Sequence, residues 1–414
     1  MLISPALPLL LLLLFSGCSG KNVTADYAAA ADSADSEPHS AAAGDSVAGA
    51  ADAEEPLRRE AARVAAALDD QRLAAQVIIS GIDGKERLSP DMKLLLTECP
   101  AGGIVLFRYN LNAGNDAIRS LIAEAVTLID IAPFVAVDHE GGTVNRFRPG
   151  VADLPPAVSY REEAEQGTRR APVISRIFTD SFNAGNQINA LGINVNLAPV
   201  AECLNEHNRD FLDDRSYGPD VLFTVQAAGA FISGMNQAGV LCAVKHFPGS
   251  AGPDPHLFPS VLTGDKAALA ELILPFASLI RNNHIRAIMV SHSAVPAWDN
   301  ENIASLSSAV MDGWLRRELN FDGIIICDDF SMASARSPDS ARDQDNLKPE
   351  RLVVRSLAAG ADMILVWPPD LRRTHRAIME ALDSGELSRG RLEESVQRIV
   401  LQKLRMKLID GNRE

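Results

Sequence analysis

The chain has 414 residues, 47% of them hydrophobic, enough for one large α/β barrel or two average domains. Its net charge of -15 argues against a nucleic-acid partner, whose phosphates would be repelled. No basic run marks a patch for DNA or lipid headgroups.

Leu9 to Phe15 is an unbroken apolar run, far short of the roughly 20 residues a membrane-crossing helix needs. It reads as the core of a signal peptide covering residues 1–17. Ser16-Gly17-Cys18 follows at once and resembles the bacterial lipobox, in which the cysteine is acylated and becomes the new N-terminus. Residues 18–56 are rich in Ala, Ser, Asp and Gly, with almost no large apolar side chain, and are expected to be a disordered tether. As a flexible coil this length reaches roughly 30–35 Å by the ~5–6 Å × √n rule. The expectation is an extracytoplasmic protein that meets the membrane only through lipid on Cys18. Of the other cysteines, Cys242 and Cys327 lie in apolar runs and read as buried free thiols; no Cys-x-x-Cys pair points to zinc.

From residue 57 to the C-terminus, short β-branched runs alternate with amphipathic helical stretches, the pattern of a parallel sheet. The predicted strands are Gln76–Ser80, Gly103–Phe107, Phe134–Asp138, Ile193–Leu197, Cys242–His246, Ala287–Ser291, Ile324–Asp328 and Met363–Trp367. Their continuous hydrophobicity suits strands covered on both faces. No Gly-x-Gly-x-x-Gly opens a helix, so a single (β/α)8 barrel of the TIM type is favoured over a dinucleotide-binding sheet. Asp138, Lys245, His246, Ser291, His292 and Asp328 all fall at a predicted strand tip or one residue beyond. In such a barrel those tips converge on the face that carries the chemistry.

Six motifs carry a family resemblance. In chain order they are Gly102-Gly103-Ile104-Val105-Leu106-Phe107, Ala136-Val137-Asp138-His139-Glu140-Gly141-Gly142, Asn196-Leu197-Ala198-Pro199-Val200, Asp214-Arg215-Ser216-Tyr217-Gly218, Lys245-His246-Phe247-Pro248-Gly249, and Cys327-Asp328-Asp329-Phe330-Ser331-Met332. Together they resemble glycoside hydrolase family 3, in its β-N-acetylglucosaminidase (NagZ-type) branch, from about Leu68 to Leu408. The resemblance implies a retaining, exo-acting β-N-acetylhexosaminidase that removes terminal β-linked N-acetylglucosamine from peptidoglycan fragments or related glycans. It places the nucleophile at Asp328, a role suited to a strand-end carboxylate that attacks an anomeric carbon. Asp329, on the opposite face, is expected to cap the following helix. The acid/base implied by the family is a loop His held by an Asp two residues earlier, here Asp254-Pro255-His256. A carboxylate beside an imidazole fixes its tautomer and favours its protonated form, as a general acid needs. Gly249-Ser250-Ala251-Gly252-Pro253 replaces the family's Gly-His-Gly-Asp wording and shortens the loop. By the same resemblance Asp138, Arg146, Arg215, Lys245 and His246 bind the sugar, and His139 stands where Gln is usual. His292 is as readily a packing residue as a ligand-binding one.

Two other readings stay open on sequence: a non-catalytic sugar-binding lipoprotein with a degenerate acid/base loop, and phosphorolysis in place of hydrolysis. A metal-dependent barrel hydrolase would need a His-x-His pair after the first strand, where this chain has Ser80-Gly81-Ile82-Asp83. The expectation is therefore a monomer with a carbohydrate substrate, no cofactor, no metal and no nucleic acid.

Overall fold

The computed structural model describes residues 43–167, 169–282, 285–335 and 348–410; residues 1–17, expected to be a signal peptide, and Cys18 lie outside them. Two compact units divide at Pro56/Leu57. In the first, the backbone is helical from Ala43, within the stretch expected to be tether. A low content of large apolar residues does not forbid a helix where Ala, the strongest helix former, is frequent. In the second unit the chain is helical to Ala67. There Leu57, Ala61, Val64, Ala65 and Leu68 recur at helical spacing and pack into the core.

Eight parallel strands close the second unit into a barrel: β1 (Ile78–Gly81), β2 (Gly103–Leu106), β3 (Phe134–Val137), β4 (Val195–Asn196), β5 (Leu241–Phe247), β6 (Ala287–Val290), β9 (Ile324–Cys327) and β10 (Met363–Val366). Closure comes from β1 pairing with both β2 and β10. Between β6 and β9 the chain adds an antiparallel hairpin, β7 (Ala294–Val295) and β8 (Asp299–Ile303). Every residue of the barrel strands is buried. That accounts for their largely apolar runs, with polar residues confined to the C-terminal ends, and for the absence of a regular polar alternation. All eight predicted strands are present. The largest departures are Gln76, which ends the helix Asp70–Gln76 instead of opening β1, and β4, which keeps only the middle of Ile193–Leu197.

Side chains lock strand ends into register. Asn196 accepts from the His139 backbone N–H at 3.0 Å and donates to its carbonyl at 2.8 Å, tying the tip of β3 to β4. Beyond that tip Gly142 has φ +56, and a Cβ there would sit 2.7 Å from Asp214 Oδ2. Only glycine lets this turn close while Asp214 accepts from the Thr143 N–H and hydroxyl at 3.1 and 2.8 Å. Cys242 and Cys327 are free, buried thiols, as their apolar settings predicted. Among the described residues no helix is long and apolar enough to cross a membrane.

Candidate active site

The tips of β3 and β5 assemble a buried ion network. Lys245 Nζ lies 2.5 Å from Asp138 Oδ1 and 2.6 Å from Glu140 Oε1, with its side chain only 4% exposed. Arg146 donates to Asp138 Oδ2 at 2.6 Å, and Arg215 grips Glu140 with two bonds of 2.8 and 2.9 Å. Burial alone would push Asp138 and Glu140 up; Lys245 with Arg146 for the first, and Lys245 with Arg215 for the second, outweigh it and hold both low. Burial pulls Lys245 down, and the same two carboxylates carry it above its ordinary value instead. The network is fully ionised at neutral pH. It presents fixed donors and acceptors to the cavity without rearrangement.

Beside it, His246 Nδ1 meets Glu202 Oε1 at 2.6 Å, and the Ser250 hydroxyl donates to the same carboxylate. With Nδ1 engaged by Glu202, Nε2 is the ring nitrogen left for the cavity that His246 lines. His139 lies behind Asp138, fully buried, with Nε2 donating to Ala152 O at 2.7 Å and its ring edge-on to Phe147. Burial keeps it below its ordinary value and neutral.

Asp328 follows the last residue of β9, and its Oδ1 accepts the Asp329 backbone N–H at 2.8 Å. Among the described residues Asp329 caps no α-helix. Its carboxylate accepts from Ser331 N–H at 2.9 Å, from the Ser331 hydroxyl and from Trp367 Nε1, fixing a turn that leads into a short 3-10 segment, Ala333–Ala335. His292 takes the Ser305 hydroxyl on Nδ1 at 2.7 Å and donates from Nε2 to Asp329 O at 3.2 Å. Burial depresses its pKa against the pull of Asp328. It is a neutral residue that holds the backbone of the Asp328 turn, and its engaged nitrogens make it a poor metal ligand.

The shortened loop after β5 is stitched down on several sides. Gly252 N–H donates to His207 O at 2.7 Å, and Ala251 N–H to Ser260 Oγ at 3.0 Å. Val261 bridges to β7, while Pro255 O and His256 O accept from Ser334 and Ala333 N–H at 3.1 and 3.2 Å. Those last two bonds carry the loop over to the segment that follows Asp328. His256 Nδ1 lies 2.6 Å from Asp254 Oδ1, which also accepts the His256 N–H at 2.9 Å. Some burial acts against ionisation of Asp254, and these two His256 groups outweigh it to hold the carboxylate low. His256 remains 61% exposed, and the bond through Nδ1 leaves Nε2 open to a ligand.

One cavity of about 190 Å³ joins these parts. Asp328 and His256 line it together with Asp138, Arg146, Arg215, Lys245 and His246. All the candidate residues but two thus open on one space; Asp254 stands behind His256, and Cys18 is outside the described residues. Two residues were missed. Glu140 falls inside a sequence motif that gives it no role of its own, and Glu202 falls two residues past the motif that ends at Val200. Each binds a partner on β5 or near Asp214, far along the chain, so no local spacing could expose it.

Residues 70–401 match the glycosyl hydrolase family 3 N-terminal domain. The chain belongs to glycoside hydrolase family 3. It is 34% identical to a β-hexosaminidase of Methylococcus capsulatus over 73% of this chain and 86% of that protein. With the β-hexosaminidase LpqI of Mycobacterium tuberculosis it shares 29% identity over 83% of this chain and 85% of the relative. The family 3 β-N-acetylglucosaminidase structure from Paenibacillus superposes with a TM-score of 0.73 at 29% identity, covering 84% of this chain. The chain spans 64% of the length of that larger protein.

Proposed function

We propose that this family 3 β-hexosaminidase is a retaining, exo-acting enzyme that removes terminal β-linked N-acetylglucosamine, with Asp328 as nucleophile. One observation carries the reading: a strand-end carboxylate and a carboxylate-paired imidazole open on the same small cavity, opposite a preset network of hydroxyl-binding charges. Asp138, Arg146 and Lys245 bind the hydroxyls of the terminal sugar, with His246 beside them and Arg215 holding Glu140 in place. Asp328 attacks the anomeric carbon and forms a covalent glycosyl ester while His256 protonates the departing oxygen from Nε2. His256 then deprotonates a water that releases the sugar, and two inversions give net retention. Asp254 keeps the imidazole in the right tautomer through both steps.

The substrate class is peptidoglycan fragments or related glycans, and the cleavage is hydrolytic. Phosphorolysis is the second reading, favoured by an imidazole acid/base that adds no negative charge to repel phosphate. Turnover of a chromogenic β-N-acetylglucosaminide beside the matching β-glucoside, with and without phosphate, tests all of this. Release from the first alone, giving free sugar in both buffers, is expected. No turnover of the N-acetyl substrate leaves a non-catalytic sugar binder, and a sugar phosphate makes the enzyme a phosphorylase. We further propose that Cys18 is lipidated and holds the enzyme at the cell envelope; the basis is the Leu9–Phe15 core and the Ser16-Gly17-Cys18 sequence.

A further inference from the structure

Part of the cavity wall, beyond the tips of β2 and β10, is aromatic, and the catalytic steps above give it no part. Gly81 ends β1 without a side chain; a Cβ there would lie 2.9 Å from Pro368 and 3.0 Å from the Phe107 ring. The glycine lets the residues that follow β2 and β10 meet over the end of β1. Phe107 and Trp367 stack there, with centroids 4.6 Å apart and planes 12° off parallel, and Tyr109 continues the row at 6.0 Å from Phe107. Both ends of the row are pinned. Tyr109 donates its hydroxyl to Ile82 O at 2.5 Å, and Trp367 Nε1 donates to Asp329, the neighbour of the proposed nucleophile. Phe107 and Trp367 line the same cavity as Asp328 and His256.

These rings stay open although they are held rigidly. Trp367 is 39% and Tyr109 38% exposed. A fixed, exposed aromatic surface at the mouth of a sugar cleft gains by being covered. What covers such a surface well is the face of a pyranose, whose axial C–H bonds are apolar while its hydroxyls point outward to water. The terminal sugar is claimed by the ion network on β3 and β5, so the ring system from β2 and β10 is left for what the terminal sugar is attached to.

We propose that Phe107, Tyr109 and Trp367 form a subsite for the leaving group, in which the second pyranose of the substrate stacks on Trp367. This rests on the hydrolase reading above. It makes the enzyme selective for sugar-linked over alkyl-linked N-acetylglucosamine.

The experiment compares the β-1,4-linked disaccharide of N-acetylglucosamine with methyl β-N-acetylglucosaminide, whose leaving group has no ring. Trp367→Ala should lower kcat/KM for the disaccharide roughly ten-fold, mostly through KM, the scale of one lost aromatic stack, and leave the methyl glycoside within about two-fold. Trp367→Phe should keep most of the disaccharide activity, because the ring remains although the N–H to Asp329 is lost. If both glycosides fall together and Phe does not rescue, Trp367 only positions Asp329 and the subsite is overturned. An unchanged disaccharide rate in Trp367→Ala overturns it as well. If the wild-type enzyme turns over neither glycoside, the hydrolase reading fails before any substitution is made, and the subsite fails with it.

Discussion

Lys245→Met tests whether the ion network at the tips of β3 and β5 holds the cavity wall together. The substitution keeps the length and removes the charge. It leaves Asp138 with Arg146 alone and Glu140 with Arg215 alone, both still largely out of water. Breaking a buried pair by removing one partner costs about 3–5 kcal/mol. For Leu57–Glu414, at ~2.1 cal/mol/K per residue, the unfolding entropy is about 0.75 kcal/mol/K, so the loss lowers Tm by roughly 4–7 °C. The pH dependence gives the claim its sign. Asp138 and Glu140 are depressed in the fold, so their contribution is complete above the ordinary carboxylate range and is lost as pH falls through the folded values. Lys245 is raised, so its share is complete below the ordinary lysine value and is lost as pH rises through the folded one. The gap between wild type and variant should therefore be widest near neutrality and narrow towards both extremes. Thermal melts in a series of buffers measure it. An unchanged Tm at pH 7, or a gap that is flat with pH, refutes the network as a stabilising unit.

His256→Ala should slow a natural disaccharide far more than an activated aryl glycoside, since a nitrophenolate leaves without a proton; azide should rescue the aryl substrate by attacking the intermediate. Normal activity on the disaccharide would remove His256 from the acid role, and Asp254→Asn should give a milder form of the same defect. Lys403, buried against Gln76 and the Phe134 ring, is pulled by burial from 10.5 to about 7. The unfolded chain then binds the proton more tightly between those values, so stability falls as pH drops through that window. A drop of this size is worth about 5 kcal/mol, less about 1–3 kcal/mol for stranding the Gln76 oxygen, so Lys403→Met should gain roughly 2–4 kcal/mol at pH 7 and lose that gain above about pH 10 in urea unfolding. Cys18→Ala should shift the protein from the detergent phase to the aqueous phase, and unchanged partitioning would contradict lipidation.

The barrel was legible because its strands are buried on both faces and their sequences are largely apolar. Ile324–Cys327 is one apolar run followed by a carboxylate, and period and position both point the same way. The candidate site was legible where a polar side chain sits at a strand tip, as with Asp138, Lys245 and Asp328. It was hidden where a residue acts through a distant partner. Glu202 gains its meaning from His246 and Ser250, and neither is near it in sequence. Asp329 was misread because strand alternation sent it away from the cavity, whereas the chain has left the strand by then and turns it towards Trp367. The same non-locality conceals the aromatic row. Gly81 ends β1 while Phe107 and Trp367 follow β2 and β10, and only barrel closure makes them neighbours.

The central claim, a glycosyl ester on Asp328, is tested most directly by following the first anomer of N-acetylglucosamine released from a β-glycoside by proton NMR. Two displacements predict the β anomer first, with the α anomer appearing only at the rate of mutarotation, and no product from Asp328→Ala. Immediate appearance of the α anomer from the wild-type enzyme would mean a single displacement by water and would contradict a nucleophilic Asp328.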